Sequence, residues 1–261
     1  MGYDKIISIV RRYNWVVPSL FKRETNMYKL KSKVRYSEAD SNSRLTHYAL
    51  LNYLQDSSTL HSEELGESGA QLLEQNMAWI LSFWQICIEE MPKLSEDITV
   101  STWPYQTRGL FGLRNFCMDN EKGDRIVKAN SIWVLIDPRN GRPIRISDEV
   151  SSHYPDEPKL DMDYCDRKIA IPETYTEMEP VQVPKYFIDT NNHMNNGKYV
   201  MVAESYLPEE FDVREIRVEY KTAAVLGDVL YPRVTVNEKE VTVVLVNEKG
   251  NVYATVLFLG R

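Results

Sequence analysis

Residues 189–199 read DTNNHMNNGKY, which places one acid, one histidine and four carboxamides within the first eight positions. The apolar residues that follow recur at helical spacing: Tyr199, Val202, Ala203 and Tyr206. The segment therefore predicts a polar loop that leads into a buried helix. Free N–H groups at a helix start attract negative charge and can polarise a carbonyl group. An acid and a histidine at such a place are the parts of a hydrolytic site.

The same residues are also typical of turns and caps. Asn, Asp and Gly favour turns, and either Asn195 or Asn196 is a suitable helix cap. On composition alone, a plain surface loop is the simpler interpretation. A resemblance favours the functional one: the pattern Asp-x-Asn-x-His-x-Asn-Asn-x-x-Tyr is similar to the active-site segment of hotdog-fold thioesterases. In particular, it resembles the acyl-acyl-carrier-protein (acyl-ACP) thioesterases of bacteria and plant plastids.

Composition is that of an ordinary globular protein. The chain has 261 residues, of which 43% are hydrophobic and 26% charged, so we expect one large domain or two of ordinary size. No apolar run approaches the roughly 20 residues of a membrane-spanning helix. The apolar run at 6–10 is too short for a signal peptide and is followed by Arg11 and Arg12. We therefore expect a cytoplasmic protein that does not act at a membrane.

Several function classes are disfavoured. The three cysteines include no CxxC pair, and the four histidines show no metal-ligand spacing, so we expect neither a metal nor a cofactor. No GxSxG elbow, P-loop or dinucleotide fingerprint is present. The net charge of −7 argues against nucleic acid as the main partner. An acidic partner, such as an acyl carrier protein, would need a local basic patch.

The chain divides into two similar halves. We expect an N-terminal extension (1–25), a first domain (26–147), a linker rich in proline and charge (148–180) and a second domain (181–261). In the first half, the patterns predict a strand at 29–36, a helix at 46–65, and strands at 77–88, 98–105, 110–118 and 125–136. In the second half, they predict a strand at 181–188, a helix at 196–207, and strands at 213–220, 229–236, 241–246 and 252–259.

A weak internal repeat supports this division. The stretch DSNSR at 40–44 precedes the first helix as DTNNH at 189–193 precedes the second. We therefore predict an α+β fold of two tandem hotdog domains, each a long helix wrapped by an antiparallel sheet, paired as a pseudo-dimer. Arg44 stands where the second loop has His193 and cannot act as a base at neutral pH. The first site is accordingly predicted to be degenerate, although a plain turn explains its Asp and Asn equally well.

The resemblance implies that Asp189, Asn191 and His193 are the catalytic residues. By side-chain chemistry, Asp189 can activate water or attack the acyl carbon itself, and His193 can share the proton. Asn191 can hold the carboxylate or the substrate carbonyl. Backbone N–H groups at Asn196 and Gly197 are expected to bind the developing oxyanion.

The chain departs from the family at one position. Family members carry a Glu, followed by Cys in plant enzymes, three residues after a strand Tyr, whereas this chain has Ala223 and Ala224 there. A cysteine nucleophile is therefore excluded. Glu219 lies four residues away, about 13 Å along a strand, and is a poor substitute. Either activity is low, or Asp189 and His193 hold the water alone.

Substrate contacts are predicted in two places. Four residues of an apolar strand are candidates for the acyl pocket, although each is also an ordinary core residue: Trp79, Leu81, Phe83 and Trp84. The densest basic turn is a candidate for carrier docking, with a solvated loop as the alternative: Arg139, Arg142 and Arg145.

The leading hypothesis is hydrolysis of fatty acyl-ACP to the free fatty acid, which ends chain elongation. An acyl-CoA thioesterase on the same fold is the nearest alternative, and a weakly active or non-catalytic acyl-binding protein is another, made plausible by Ala223. A hotdog dehydratase is disfavoured by the Asn-rich loop. We expect a monomer that contains the pseudo-dimer, or a homodimer.

Overall fold

The computed structural model describes residues 26–261, so the predicted extension at 1–25 lies outside the described residues. Within them, two antiparallel sheets merge into one 12-stranded sheet, in the order β1-β3-β4-β5-β2-β9-β12-β11-β10-β7, with β6 beside β5 and β8 beside β10. The strands are β1 (Tyr28–Lys33), β2 (Ala78–Ile88), β3 (Asp97–Arg108), β4 (Phe111–Asp119), β5 (Arg125–Asp137), β6 (Arg142–Pro143), β7 (Thr176–Glu177), β8 (Val181–Gln182), β9 (Val213–Tyr220), β10 (Val229–Asn237), β11 (Glu240–Val246) and β12 (Val252–Gly260).

The helices are α1 (His47–Glu64), α2 (Gly69–Glu74), α3 (Asp148–Ser152) and α4 (Asn196–Glu204). Thr46 starts α1 by accepting a hydrogen bond from the Ala49 N–H at 3.2 Å. The buried side of α1 repeats at helical spacing, which explains why this segment folds as a helix on a sheet. Its residues are Ala49, Leu50, Leu51, Tyr53, Leu54, Ser57, Ser58 and His61.

Strand β2 is covered on both faces, as its nearly continuous apolar sequence predicts. On the inner face, Trp84 and Ile86 join the core beneath α1. On the outer face, Phe83 packs with Ile169 and Leu257. A register shift between Leu81 and Phe83 interrupts the alternation of the strand, because a bulge inserts one residue and turns the following side chains over.

The two halves meet as a pseudo-dimer. Strand β2 of the first half pairs with β9 of the second in register from Phe83↔Glu219 to Cys87↔Glu215. Helices α1 and α4 lie antiparallel, since His47 at the start of α1 contacts Glu204 at the end of α4, with Nδ1 and Oε1 2.7 Å apart. The prediction of two tandem hotdog units is confirmed. The second unit has the shorter helix, which ends at Glu204 rather than at 207.

Residues 158–169, which we call the strap, lie within the predicted linker and cross the outer face of the joined sheet. Side chains of both halves hydrogen-bond to strap backbone, so the strap is packed structure that contacts the first half and the second. The bonds are Trp103 Nε1 to Pro158 O (2.8 Å), Leu160 N to Asn115 Oδ1 (3.0 Å), Gln85 Nε2 to Asp163 O (2.8 Å), Cys165 N to Gln85 Oε1 (3.0 Å) and Ile169 N to Glu219 Oε2 (3.2 Å).

One predicted strand is wrong. Residues 181–188 form only the two-residue β8 and a 3₁₀ turn at Lys185–Phe187. Pro184 lacks an N–H for a ladder and leads directly into the turn. None of the helices in residues 26–261 combines the length and apolar character that crossing a membrane requires.

Candidate active site

The carboxylate of Asp189 closes the turn that carries the three predicted catalytic residues. Its Oδ1 accepts hydrogen bonds from the backbone N–H groups of Asn191 (2.8 Å) and His193 (3.4 Å). The Asp189 N–H donates to His193 O at 2.8 Å, and Asn192 at the tip has φ +62°. Asn tolerates this left-handed conformation better than most residues. The sequence therefore folds locally into a tight turn whose acid is half-buried.

The first half contains a turn with the same hydrogen bonds. Asp40 Oδ1 accepts from the N–H groups of Asn42 (2.8 Å) and Arg44 (2.9 Å), and Asp40 N donates to Arg44 O at 2.8 Å. Ser43 takes the left-handed conformation, with φ +57°. The weak sequence repeat is thus a structural repeat. The two turns differ in three side chains: Ser41 and Thr190, Ser43 and Asn192, and Arg44 and His193. At the last of these positions Arg44 donates to Met91 O at 3.4 Å, whereas His193 has an exposed ring.

The second turn is anchored to its own half by two backbone bonds, and a third bond from the Tyr199 side chain holds the segment at Ala224 to which the turn is attached. Met194 N donates to Ala224 O (2.8 Å), Asn195 N donates to Phe187 O (2.9 Å), and Ala224 N donates to the Tyr199 hydroxyl (2.8 Å). Burial raises the pKa of Tyr199 to about 12, so the hydroxyl stays protonated while its oxygen accepts. Sequence reasoning assigned Tyr199 only to the buried face of α4. Its position in the motif was the available signal for a positioning role.

The start of α4 offers one free donor. Asn195 caps the helix, because its Oδ1 accepts a hydrogen bond from the Gly197 N–H at 2.9 Å. The Gly197 N–H, one of the two predicted oxyanion donors, is therefore already engaged. The backbone N–H of Asn196 has no hydrogen-bond partner among residues 26–261. The Asn196 carbonyl oxygen, which belongs to the following peptide group, accepts from the Tyr220 hydroxyl at 2.9 Å and holds this residue in place. Of the two predicted oxyanion donors, we therefore keep the Asn196 N–H as the candidate.

The three catalytic candidates share the turn but are not joined by side-chain hydrogen bonds. Within residues 26–261, no side chain bonds to the His193 ring or to the Asn191 carboxamide. Asp189 contacts the backbone of both residues instead. One carboxylate oxygen, Oδ2, therefore has no partner in the described part of the chain. The arrangement leaves an acid, an imidazole and a carboxamide open to a substrate and a water molecule.

The position at which the family resemblance predicts a Glu carries no carboxylate, because the chain has Ala223 and Ala224 there. Ala223 is exposed beside the turn, and Ala224 is fully buried against it. Glu219 does not replace the missing acid, because its Oε2 accepts from Ile169 N on the outer face of the sheet. Lys221, 3.9 Å from Glu219 Oε2, is the nearest cation to that carboxylate.

The acyl-pocket candidates separate onto two faces. Trp79, Leu81 and Trp84 contribute to the cores between sheet and helices, and the Trp84 ring lies 4.8 Å from the Phe116 ring. Phe83 instead lies under the strap. Leu81 and Trp84 thus share one core cluster, whereas Trp79 belongs to a second and Phe83 to a third.

The three candidate docking arginines lie on the exposed hairpin between β5 and β6 and just beyond it. Arg139 is paired with Asp137 at 2.7 Å, and its hydrogen bonds hold the pKa of that carboxyl at about 2. Arg142 and Arg145 take part in no ion pair within residues 26–261.

Comparison with known proteins bears on both halves. Sequence models of the acyl-ACP thioesterase N-terminal domain and C-terminal domain match residues 25–154 and 172–257. The chain belongs to the acyl-ACP thioesterase family. The two matched domains contain one loop repeat each, and the C-terminal one contains the turn with His193.

Individual relatives are distant. The oleoyl-acyl carrier protein thioesterase 2 of Arabidopsis thaliana is 28% identical over 211 residues, which cover 73% of this chain and 57% of the relative. The palmitoyl-acyl carrier protein thioesterase of Cuphea hookeriana is 26% identical over 183 residues, covering 64% of this chain and 44% of the relative. The chain therefore spans about half the length of the curated relatives that it matches.

Solved structures of this family share the fold. The acyl-ACP thioesterase of Bacteroides thetaiotaomicron superposes with a TM-score of 0.83 at 23% identity, over 90% of this chain and 98% of that one. The 12:0-ACP thioesterase of Umbellularia californica gives a TM-score of 0.82 at 18% identity, over 92% of this chain and 99% of that one. The family architecture of two hotdog units is therefore present over nearly all described residues.

Proposed function

We propose that this protein hydrolyses the thioester of a fatty acyl group carried on acyl carrier protein, which releases the free fatty acid and ends chain elongation. The observation that carries the proposal is the turn at 189–193. It holds a half-buried acid and an exposed imidazole directly before the N-terminus of α4, in the fold of a thioesterase family. A cytoplasmic location stays a prediction from the sequence.

The geometry supports a direct attack by water. Asp189 Oδ1 is committed to the turn, so Oδ2 accepts a proton from water as the water oxygen bonds to the acyl carbon. The carbonyl electrons move to oxygen, and the resulting oxyanion is stabilised by the Asn196 N–H at the helix start. Collapse re-forms the carbonyl and breaks the carbon–sulfur bond. His193 gives a proton to the departing thiolate, and the proton that Asp189 took from water then passes to His193. One water is consumed, one acid and one thiol are formed, and both side chains return to their starting states.

The absence of an acid at Ala223 favours a second candidate, an acyl-binding protein with little or no turnover. In that case the acyl chain and carrier would bind as in an enzyme, but no group beyond Asp189 would activate water. Binding and hydrolysis therefore have to be measured separately.

The repeated turn provides a matched control for the catalytic assignment. Asp189→Asn and Asp40→Asn both keep an oxygen acceptor at Oδ1, so both turns should stay closed. Only Asp189→Asn removes the base, and we expect it to lower kcat by about a hundredfold or more. His193→Ala should act similarly, whereas Asp40→Asn should leave kcat unchanged. Free-thiol release from a panel of acyl-ACPs and acyl-CoAs measures all four proteins.

The outcomes separate the hypotheses. Release that only the second-turn variants abolish supports the proposal, and preference for acyl-CoA would keep the chemistry but change the partner. Equal losses in Asp40→Asn and Asp189→Asn would assign both residues a structural role. If the wild-type protein binds acyl-ACP without releasing thiol, the acyl-binding alternative is correct.

Charge distribution supports a docking surface at one end of the sheet. At this end β2 begins and β9 ends, as Ala78↔Ile136 and Phe83↔Glu219 indicate, and Ala224 anchors the catalytic turn just beyond β9. Exposed cations lie at the same end: Arg108, Arg139, Arg142, Arg145 and Lys221. At the opposite end, exposed acids and exposed cations are mixed: the acids are Glu89, Glu90, Asp97, Glu121 and Asp124, and the cations are Lys33, Lys93, Lys122 and Arg125. In a chain of net charge −7, the basic end is the natural place for an acidic carrier.

Reversing Arg142 and Arg145 to Glu should raise KM for acyl-ACP and leave KM for a small acyl thioester without a carrier unchanged. The control reverses two lysines at the opposite end, Lys93 and Lys122, and should change neither value. An unchanged KM for acyl-ACP in the arginine variant would rule out this docking surface. A weaker salt dependence of KM in that variant would support it.

A further inference from the structure

Arg114 is a buried cation with no counter-ion in the described part of the chain. It lies on β4 beneath α1, is 6% exposed, and takes part in none of the ion pairs of residues 26–261. Its contacts are with uncharged groups: Nη1 donates to His61 Nδ1 (2.8 Å) and to Thr102 Oγ1 (3.3 Å). The guanidinium carbon also lies 6.0 Å from the centroid of the Tyr154 ring. A buried charge is costly unless an opposite charge compensates it.

The pair of Arg114 and His61 is positively charged at neutral pH. Burial lowers the pKa of Arg114 to about 10, which leaves the guanidinium protonated. Burial and the charge of Arg114 together lower the pKa of His61 to about 4, so this imidazole is neutral and accepts the bond at Nδ1. One uncompensated positive charge therefore lies beneath α1.

A buried N–H group without a hydrogen-bond acceptor in the described part of the chain lies in the same row of the sheet as Arg114. Arg114 is opposite Ser131 in the β4–β5 ladder, and Ser131 is opposite Trp84 in the β5–β2 ladder. The buried Nε1–H of Trp84 has no hydrogen-bond partner among residues 26–261. Ser131 already accepts from Trp133 Nε1 at 2.7 Å. This row of three residues, the Arg114 row, thus carries a buried positive charge and the unpaired Trp84 N–H on the inner face, and it contains no carboxylate.

The Arg114 row is connected through the sheet to the strand that precedes Ala224, the residue that anchors the turn at 189–193. It continues from Trp84 to Val218 on β9, the strand that leads to Ala224 and the turn. Arg114 is three strands from β9, which is about 14 Å across the sheet. Trp79, another acyl-pocket candidate, packs at 6.1 Å against Tyr154, the same ring that lies against Arg114.

We propose that the Arg114 row forms the far end of the acyl-binding site and selects an acyl chain that carries an oxygen acceptor, above all a carboxylate, at its distal end. This inference rests on the proposed thioesterase function and names its substrate class. A guanidinium binds a carboxylate through two parallel hydrogen bonds. A plain alkyl chain would leave the buried donors unpaired, and sites built around such donors reject analogues that lack the acceptor.

The test compares three carrier thioesters of equal length: octanoyl, ω-hydroxyoctanoyl and the half-thioester of suberic acid. In the wild-type protein, kcat/KM should be at least about tenfold higher for an oxygen-tipped chain than for octanoyl. The two oxygen-tipped substrates tell a carboxylate from a hydroxyl. Arg114→Met should remove the preference by lowering kcat/KM for the two oxygen-tipped chains more than for octanoyl. The control Arg125→Met, at a residue already paired with Asp119, should retain the preference.

Thermal unfolding separates this role from a purely structural one. Arg114→Met should have a Tm no lower than the wild type, since methionine fills similar space without a charge to bury. A substrate ratio that is the same in the wild type and in Arg114→Met would overturn the proposal.

Failure of the proposed function is distinguishable from failure of this inference. If no thioester is hydrolysed, or if Arg114→Met does not fold, calorimetry on the wild-type protein decides the question with monomethyl suberate and methyl octanoate. Tighter binding of monomethyl suberate supports the acceptor site, and equal or weaker binding overturns it.

Discussion

His61 links the stability of the fold to pH. Its pKa is lowered from the ordinary value of 6.5 to about 4 by burial and by the charge of Arg114. Below about pH 6.5, the unfolded chain therefore binds a proton that the folded chain does not. The contribution of neutral His61 to the free energy of unfolding is fully present above about pH 6.5 and is lost as the pH is lowered towards 4. The loss reaches about 3 kcal/mol, because one pKa unit corresponds to about 1.4 kcal/mol.

We predict that His61→Gln flattens this dependence. Between pH 7 and pH 4.5, the free energy of unfolding should fall by about 2–3 kcal/mol more in the wild type than in the variant. Urea unfolding at the two pH values measures the difference. His193→Gln, at an exposed ring, is the control and should follow the wild type. Parallel pH profiles for the wild type and His61→Gln would contradict the assignment.

The conformation of the turn at 189–193 was predictable from sequence because its hydrogen bonds are local. Asp189 bonds to residues two and four positions further along the chain, and Asp40 does the same in the first half. Arg114 and His61 are 53 positions apart and meet only in the tertiary structure. No local pattern marks either of them as part of a charged interior pair.

Among the elements, α1 and α4 approach each other closely at Gly197. A Cβ atom at this position would lie 3.1 Å from two carbons of the Tyr48 ring and 3.2 Å from Asn52 Oδ1. Glycine therefore allows the contact between the helices, although alanine is intrinsically better in a helix by about 1 kcal/mol. We predict that Gly197→Ala lowers the free energy of unfolding by about 1–3 kcal/mol, as overpacking does.

Two variants test the cause of that loss. Gly69→Ala introduces a methyl group with nothing within 4 Å, so the free energy of unfolding should stay unchanged or rise slightly. Tyr48→Ala combined with Gly197→Ala should cost less than the sum of the single changes, because the ring that the new Cβ would strike is gone. Denaturant unfolding of the wild type, the three single variants and the double variant is the measurement, and additive losses would refute a direct contact.

Most elements follow from periodicity, and the exceptions have physical causes. Strand β9 alternates cleanly, and its predicted bounds are those observed. The predicted strand at 181–188 failed because its apolar residues belong to a 3₁₀ turn that begins at Pro184. Strap residues such as Leu160 and Ile169 are buried by side chains far away in sequence, so their composition suggested only a linker.

At the scale of the whole molecule, we predict that both halves unfold together. The β2–β9 ladder joins their sheets, and the strap bonds to Gln85 in one half and Glu219 in the other. All tryptophans of residues 26–261 lie in the first half, at 79, 84, 103 and 133. Tryptophan fluorescence therefore reports that half, whereas far-UV circular dichroism reports both.

Urea curves from the two signals should coincide, with equal midpoints and slopes. Separate midpoints would mean that the ladder and the strap do not couple the halves. Gln85→Leu removes both strap hydrogen bonds of that side chain and leaves buried Glu215 without its 2.9 Å donor. It should lower the common midpoint without splitting the transition.

The β2–β9 ladder also changes how the protein responds to dilution. Two separate hotdog chains would associate with a finite dissociation constant and come apart at low concentration. Here the partner is covalently attached, so its effective concentration is fixed by the chain and is independent of how much protein is present. Specific activity should therefore be constant down to nanomolar protein. In a symmetric dimer both subunits have the same sequence, whereas two halves of one chain can differ. One turn can therefore hold Arg44 while the other holds His193.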